Sequence, residues 1–486
     1  MSLIWKGSLY ISAVNRDTMI EFIFPLSFQV FEKHSIMKGD IVIMNKLSKF
    51  FDFKEKGTSF QIEVIAGLTT FMTMAYVLVT QPGAICGFGP DAFIVDCTGA
   101  VITKEAIMVT CAFISAVITI LMGLYANLPF ALSTGMGSNF MFGALIQSGG
   151  ISFGGAMAIT LISGIIFVIL TKLGIRDLIV KAMPKNLKTA IGIAIGFFIA
   201  YLGFKNSGIG VFADGIALGD FTQPSVYLAL LGLAIIGVLN AYKVKGSIMI
   251  GIIVITLLGI PFGVTTLPAA VAKVPDLEGL QNIIFNFDFK SVLTFSCIPL
   301  IFITFCGDFF STLGTVLGCG AKAGMLDEEG NFQHIEKPFL VDAIGTVVGA
   351  CTGNTTITTF VESGSGVQAG GRTGMTAITV AICFLLSMFL SPLVLIIPNA
   401  ATGPALIYVG FLMIEGIRDI EFDKFDEAFG PFIMIMFTIF GGSIAGGICA
   451  GIISHVFIKV AVGKAKEVNL ILYILLIPLI LYFIAG

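Results

Sequence analysis

The sequence predicts an all-α polytopic membrane protein with about 14 transmembrane segments, arranged as two inverted repeats of seven spans. Of its 486 residues, 56% are hydrophobic and 12% are charged, about half the ~25% charged residues of soluble domains. The mean hydropathy is +1.00, and nearly charge-free stretches such as residues 151–170 and 468–486 recur along the chain. These features exclude a soluble enzyme, a disulfide scaffold and a disordered chain. A net charge of −3 gives no basis for nucleic-acid binding.

The predicted spans follow from the length that a helix needs, about 20 apolar residues, to cross a bilayer. The first set lies at residues 60–81, 105–126, 128–148, 151–171, 186–204, 224–241, 246–265 and 291–314. The second set lies at residues 339–353, 355–370, 374–397, 400–416, 429–442 and 443–461. The stretch 468–485 is either a fifteenth span or an interfacial tail.

The amino-terminal segment differs from the rest. Residues 1–43 contain no clean span and lack the apolar core and cleavage site of a signal peptide. Met44 begins a short basic and aromatic lead, residues 44–57. We expect Met44 to be the native start, the lead to be cytoplasmic, and residues 1–43 to be a non-native or vestigial extension.

Loop charges and internal similarity set the predicted topology. Most lysines and arginines of the loops follow even-numbered spans, so an even count with both termini in the cytoplasm satisfies the positive-inside rule. Residues 155–160 resemble residues 374–379, and residues 194–197 resemble residues 408–411. Each pair is separated by about half of the chain that follows Met44. Since seven spans is an odd number, the second repeat must be inverted, as in secondary transporters.

Two segments at equivalent places in the halves are unsuited to continuous helix. Residues 128–148 carry Pro129, Gly135 and Gly137, and residues 351–371 carry the β-branched run 355–359 followed by glycines. We interpret the second as extended chain leading into a half-helix that begins near Glu362. Non-helical backbone at membrane depth lines a cavity or is buried in protein. Interrupted spans in both halves therefore indicate a binding site.

Two carboxylates fall in this region. Asp308 lies deep in a span, and Glu362 lies at the start of the half-helix. An acid at the bilayer centre costs roughly 2.5–3.5 kcal/mol and needs a partner or a proton. We expect both to bind substrate and to couple the proton, the alternative being structural carboxylates near a helix cap. For Asp342 and Glu63, at span ends, we expect solvated or capping roles.

Other side chains near the broken segments have two interpretations each. Asn139 offers a donor and an acceptor to a ligand, or bridges two helices. Phe140 and Phe360 stack on a planar ligand or pack in the interior. We expect Arg372 to reach the cytoplasmic interface.

Several functions lack the residues that they need. The nine cysteines lie mostly in apolar runs without metal-ligand spacing, and the chain has three histidines. No phosphate-binding GxxxxGK[ST] motif occurs, so ATP-driven pumping has no support. We expect no metal, no cofactor and no catalytic centre.

Four segments carry a family resemblance: residues 57–78, 134–142 (TGMGSNFMF), 308–315 (DFFSTLGT) and 358–374 (TTFVESGSGVQAGGRTG). From about Lys46 to its end, the chain resembles the AzgA-like branch of nucleobase–cation symporters. These are the adenine, guanine and hypoxanthine permeases, relatives of the uracil and xanthine permeases.

The resemblance implies a uracil-permease-like fold with short strands in spans 3 and 10 that meet at the substrate. The implied core domain comprises residues 58–172 and 290–397, the gate domain comprises residues 173–289 and 398–465, and residues 466–486 form an apolar tail. Glu362 takes the role of the span-10 carboxylate, Asp308 that of the span-8 carboxylate, and Asn139 that of the span-3 polar residue. The remaining residues of the expected substrate site are Phe140, Phe360, Val361 and Thr312. The chain departs from the family at Ser311, where relatives commonly have a second acid.

These features predict a proton-coupled importer of purine nucleobases in the plasma membrane that works by an elevator-like movement. A carboxylate accepts the N–H edge of a purine, while Asn139 serves a carbonyl or a ring nitrogen. The alternatives are a passive facilitator or channel, and a xanthine or uracil transporter of the same fold. The expected partners are a purine, H⁺ in preference to Na⁺, membrane lipid and a second copy in a homodimer, and no nucleic acid. An anion transporter is disfavoured because acidic site residues repel such a ligand.

Overall fold

The computed structural model describes residues 46–88, 93–174, 184–212, 217–244, 246–268, 270–275, 279–292, 297–326, 332–442 and 444–485. The expected extension 1–43 and the expected start Met44 lie outside the described residues. The chain divides into two compact units, Met1–Asp52 and Phe53–Gly486. In the first unit, residues 46–50 are helical. All elements below belong to the second unit.

Helices dominate the second unit. In the first half they are α1 Phe60–Met74, α2 Val77–Cys86, α3 Lys104–Leu121, α4 Met136–Gln147, α5 Phe153–Lys172, α6 Lys185–Asn206, α7 Pro224–Ala241 and α8 Ser247–Gly259. In the second half they are α9 Phe289–Val292, α10 Ile298–Ala323, α11 Glu336–Cys351, α12 Ser363–Gln368, α13 Gly374–Ser387, α14 Ser391–Leu395, α15 Asn399–Ile414, α16 Phe425–Phe440, α17 Ile444–Ala461 and α18 Leu470–Ala485. The short strands are β1 Phe93–Val95, β2 Val101–Thr103, β3 Leu132–Thr134, β4 Gly210–Val211, β5 Ala217–Leu218 and β6 Ile357–Thr359.

Within the described residues, eight helical stretches are long and apolar enough to cross a membrane: Phe60–Cys86, Lys104–Ala126, Phe153–Lys172, Lys185–Asn206, Pro224–Ala241, Leu300–Gly320, Gly374–Leu395 and Asn399–Asp419. Ser247–Gly259 and Gly446–Ala461 are shorter apolar helices. A multi-pass membrane protein is therefore confirmed. The count of 14 spans and the inversion of the repeats stay predictions.

The two broken segments meet as a small antiparallel sheet. Leu132 pairs with Thr359 and Thr134 pairs with Ile357. A further hydrogen bond at each end, from Gly135 N to Thr356 O (2.7 Å) and from Phe360 N to Ala131 O (3.0 Å), extends the ladder. These bonds satisfy the backbone groups that a helix would satisfy internally, as burial in a membrane protein requires. The predicted extended chain followed by a half-helix is thus confirmed in the second half, where α12 begins directly after Glu362.

The helices pack in two groups. The first, here called the site group (residues 60–172 and 298–395), joins α1 and α3 to α13, and α5 to α10 and α11. The second, here called the wall group (residues 185–259 and 399–461), joins α15 to α6, α7 and α8, and α16 to α6 and α17. Helices α6 and α15 approach so closely that a Cβ at Gly203 would lie 2.6 Å from the carbonyl oxygen of Gly403. Glycine at these positions lets the two helices lie backbone to backbone.

The carboxyl-terminal apolar stretch forms helix α18. It packs against α17 and α10, with Leu472 and Leu479 buried and Leu470 and Ile477 exposed. Sixteen residues make a helix of about 24 Å, shorter than the ~30 Å hydrocarbon core.

Candidate functional site

A cavity lies where the half-helices α4 and α12 begin. It encloses about 800 Å³ of space free of protein atoms, including the part that is open to solvent. Its site-group lining is Tyr76, Gly135, Met136, Gly137, Ser138, Met141, Ile303, Thr304, Gly307, Asp308, Ser311, Thr315, Thr356, Thr358, Thr359, Phe360, Val361 and Glu362. Its wall-group lining is Ile195, Ile199, Val409, Met413 and Ile448. One side of the cavity is therefore rich in polar groups, and the other is purely apolar.

Glu362 lies at the N-cap position of α12 and is 7% exposed. Its side chain makes no capping bond to its own helix. Instead, the Tyr76 hydroxyl donates a hydrogen bond of 2.8 Å to Oε1. The Glu362 side chain therefore does not cap α12, and the residue lines the cavity.

Asp308 lies on α10 and also lines the cavity. The Thr346 hydroxyl donates a hydrogen bond of 2.6 Å to Oδ2, whereas Oδ1 is buried and has no hydrogen-bond partner in the described part of the chain. A buried polar atom without a partner costs about 1–3 kcal/mol. A ligand donor, a proton or a water at Oδ1 would remove that cost.

Asp342 is fully buried on α11 and does not belong to the cavity lining. Its Oδ1 accepts a hydrogen bond from the Thr359 backbone N–H (2.9 Å), at the end of β6, and its Oδ2 has no partner among the described residues. Negative charges on Asp342 and Asp308 would repel each other. The expected solvated role at a span end is wrong for Asp342, because the middle of α11 packs against the sheet.

Glu63 and Arg372 cap helices. Glu63 is fully buried and accepts backbone N–H bonds at the start of α13, from Arg372 (2.9 Å) and Thr373 (3.2 Å). The capping role is confirmed for Glu63, and the solvated one is wrong. Arg372 Nη1 donates to the carbonyl oxygens of Val367 (2.6 Å) and Gly371 (2.8 Å), at the end of α12.

Of the other expected site residues, Phe360 and Val361 line the cavity, as does Ser311. Asn139, Phe140 and Thr312 are not in its lining. Phe140 stacks on Phe88 with ring centroids 6.1 Å apart.

Asn139 and Thr312 form hydrogen bonds with residues in or next to strands β3 and β6. Asn139 donates to Thr134 Oγ1 (3.0 Å) and accepts a hydrogen bond from the Thr355 hydroxyl, so it bridges the two broken segments. Thr312 bonds to Thr358 (2.9 Å). On the cavity side of Asn139 lies the hydroxyl pair Ser138–Thr356, 2.5 Å apart.

Sequence reasoning missed Tyr76, Thr346 and Ser138. Tyr76 lies at the break between α1 and α2, and a tyrosine in mid-span, which needs a partner for its hydroxyl, was an available signal. For Thr346 and Ser138 no local signal separates them from the many other hydroxyl residues of the spans.

The chemistry of the cavity suits a small neutral ligand. No lysine or arginine belongs to its lining within the described residues. Carboxylates accept N–H bonds, hydroxyls donate or accept, and the apolar side covers a ring face.

The chain is similar to known permeases along most of its length. A family model described as Permease family (Xan_ur_permease) matches residues 61–461. The putative permease MJ0326 of Methanocaldococcus jannaschii is 37% identical over 446 residues, which cover 91% of this chain and 99% of the relative. The guanine/hypoxanthine permease PbuG of Bacillus subtilis is 37% identical over 450 residues, covering 90% and 99%. The adenine permease AdeQ of Escherichia coli is 34% identical over 427 residues, covering 87% and 93%.

Two solved structures share the fold. The transmembrane domain of the cyanobacterial bicarbonate transporter BicA superimposes with a TM-score of 0.58 at 14% identity, over 81% of this chain and 97% of that domain. SLC26A9 superimposes with a TM-score of 0.56 at 11% identity, over 94% of this chain and 73% of that chain. At these identities the similarity concerns the fold alone.

Proposed function

Since this chain belongs to the permease family Xan_ur_permease, and is therefore a membrane transporter and not an enzyme, we propose that it imports purine nucleobases together with protons. Relatives that cover nearly its whole length are named for guanine and hypoxanthine or for adenine. The observation that carries the proposal is a cavity with two carboxylates and no basic residue in its described lining.

The carboxylates account for recognition. A purine presents ring N–H groups, and in guanine and adenine also an exocyclic amino group. Glu362 accepts from that edge. The Ser138 and Thr356 hydroxyls line the same cavity; Ser138 donates to Gly135 O and pairs with Thr356, so the pair offers lone pairs to a ligand donor such as an amino group. A ligand without the N–H groups leaves buried acceptors unpaired and is rejected. Asn139 acts from behind this surface by holding β3 and β6 together.

The same acids support proton coupling. Asp308 and Asp342 each carry one buried oxygen without a hydrogen-bond partner in the described residues, and intramembrane acids of this kind serve as proton relays. A proton at Asp308 neutralises the site as the loaded cavity moves. This role needs no second acid at position 311, where this chain has serine.

The two faces of the cavity support an elevator-like movement. All polar lining groups belong to the site group, and the wall group contributes apolar side chains. Such side chains form no hydrogen bonds with the substrate, so the site group can slide past them without exchanging polar partners. We place the protein in the plasma membrane, with both termini cytoplasmic and lipid on its exposed apolar faces, as a homodimer.

Two alternatives remain within the same fold. Anions, which the BicA and Slc26a9 structures are described as transporting, fit poorly beside two carboxylates. The first alternative, a passive facilitator, differs from the proposal because it lacks coupling. The second, a transporter of xanthine or uracil, differs in its substrate.

The test is uptake of radiolabelled guanine by cells or proteoliposomes that contain the protein, with adenine, hypoxanthine, xanthine, uracil and bicarbonate as competitors. We expect competition by the first two purines, none by bicarbonate, and collapse of accumulation when a protonophore is added. Uptake that is unchanged by the protonophore would contradict proton coupling, whether it depends on a Na⁺ gradient or on no ion gradient. Competition by uracil alone would contradict the substrate class.

A further inference from the structure

Tyr76 occupies an unusual place in the first membrane span. Helix α1 ends at Met74 and α2 begins at Val77, so Tyr76 lies at the junction between two helical pieces. Its side chain is 2% exposed and lines the cavity. Its hydroxyl donates to a residue 286 positions later in the chain, Glu362.

This hydrogen bond makes the two oxygens of the Glu362 carboxylate unequal. Oε1 accepts the Tyr76 hydroxyl at 2.8 Å. Oε2 receives no hydrogen bond from any other described residue and is not among the fully buried polar atoms that lack a partner. An oxygen that already accepts one strong hydrogen bond is a poorer acceptor for a second donor. Oε2 is therefore the stronger acceptor that the protein presents to a ligand.

We infer that Tyr76 is a positioning and specificity-determining residue: its hydroxyl fixes the Glu362 carboxylate so that Oε2 receives a single purine N–H. The inference rests on the proposed function. Hypoxanthine presents one N–H at this edge, N1–H, and Oε2 alone can accept it. Guanine presents N1–H beside its 2-amino group, and its second donor meets the occupied Oε1. Tyr76 thus lowers the preference for guanine over hypoxanthine.

The experiment measures binding of labelled hypoxanthine and labelled guanine to the purified full-length protein and its Tyr76→Phe variant. Phenylalanine keeps the ring and removes the hydroxyl. We expect hypoxanthine affinity to fall about 3- to 16-fold, the range for one hydrogen bond inside a membrane protein. Guanine should lose less, because Oε1 becomes available to its second donor, so the guanine-to-hypoxanthine affinity ratio rises by at least about twofold.

Two controls separate positioning from general damage. Tyr408→Phe removes the hydroxyl of another buried tyrosine, which is absent from the cavity lining, and should leave both affinities unchanged. In a Glu362→Ala background Tyr76→Phe should have no further effect, because its partner is gone. Incorporation of 3-fluorotyrosine at position 76 keeps the size and strengthens the donor, and should shift the ratio toward hypoxanthine even if Tyr76→Phe folds poorly.

Equal losses for the two purines, or a full Tyr76→Phe effect in the Glu362→Ala background, would overturn the role of Tyr76. A wild-type protein that binds neither purine would instead contradict the proposed function.

Discussion

The Thr376 hydroxyl donates a hydrogen bond of 2.6 Å to Glu63 Oε2, across 313 residues of sequence. The same carboxylate accepts the backbone N–H groups of Arg372, Thr373 and Thr376. Glu63 therefore fastens the first span to the amino terminus of α13, where the helix dipole favours a negative charge. These donors offset the desolvation of the buried carboxylate, which would be costly without them.

Glu63→Gln should lower the stability of the fold, because its amide NH₂ would face backbone donors. Loss of a hydrogen bond to a charged group costs about 1.5–3 kcal/mol. Thermal unfolding of the purified protein in detergent measures the effect. Glu421→Gln, at an exposed ion pair with Lys424, is the matched control. An unchanged transition temperature for Glu63→Gln would refute the structural role.

Glu362→Gln should weaken purine binding about 5- to 150-fold, since one donor then faces another and the mismatch costs about 1–3 kcal/mol. Equilibrium binding checks the affinity, and uptake against a gradient checks coupling. Asp308→Asn should reduce accumulation more than affinity if Asp308 carries the proton. Wild-type affinity and wild-type accumulation in Glu362→Gln would remove that residue from the site.

Asn139→Ala should weaken purine binding and also lower the unfolding temperature, because it breaks the bridge between Thr134 and Thr355. Ser138→Ala, at the neighbouring position that lines the cavity, should weaken binding with a smaller effect on stability. Binding and thermal unfolding of both variants distinguish the two roles. Unchanged affinity for every purine in Asn139→Ala would exclude it from recognition.

Asp96 should make stability depend on acid pH. Burial raises the pKa of Asp96, but hydrogen bonds from Thr98, Phe153 and Ala100 outweigh that effect and hold the pKa below its ordinary value. A pKa lower in the folded state means stabilisation that is present above the unfolded pKa, near 3.9, and lost as the pH falls through the folded pKa. Asp96→Asn should therefore be about 1–3 kcal/mol less stable at pH 7. The difference in unfolding free energy between the two proteins should stay constant from pH 7 to about pH 4 and shrink as the pH falls further, and a difference that is unchanged below pH 4 would contradict this role of Asp96.

Lys459→Met should be strongly destabilising. The Lys459 side chain is 4% exposed and forms ion pairs with Asp426 (2.9 Å), Glu427 (2.6 Å) and Glu467 (2.8 Å). Removing it takes the shared cation from three carboxylates, of which Asp426 retains an ion pair with Lys464 (2.7 Å), and the loss of a buried charge partner destabilises more than the loss of an exposed one. Lys424→Met, at an exposed pair, should have little effect on stability. Thermal unfolding that ranks the two variants equally would show that the Lys459 network is not stabilising.

Local sequence patterns were sufficient for the multi-pass character of the chain and for the two interrupted segments. The threonine run 355–359 and the glycines after it predicted strand β6 and the start of α12, because β-branched residues disfavour helix whatever they pack against. The sequence did not predict the orientation of individual side chains. A segment as short as residues 136–140 has no hydrophobic period from which to assign faces, so Ser138 and Asn139 could not be told apart.

The sequence by itself determined that this chain is a multi-pass membrane protein. It also predicted Glu362 and Asp308 as site residues, because an acid among apolar residues is costly wherever the chain folds, and both line the same cavity. Only the tertiary structure decided which groups donate hydrogen bonds to the buried acids: Tyr76 to Glu362, Thr346 to Asp308, and the start of α13 to Glu63. Two of these partnerships join residues some 300 positions apart. A hydrogen bond joins atoms about 3 Å apart. The donors therefore depend on how whole helices pack, and no local sequence pattern predicts them.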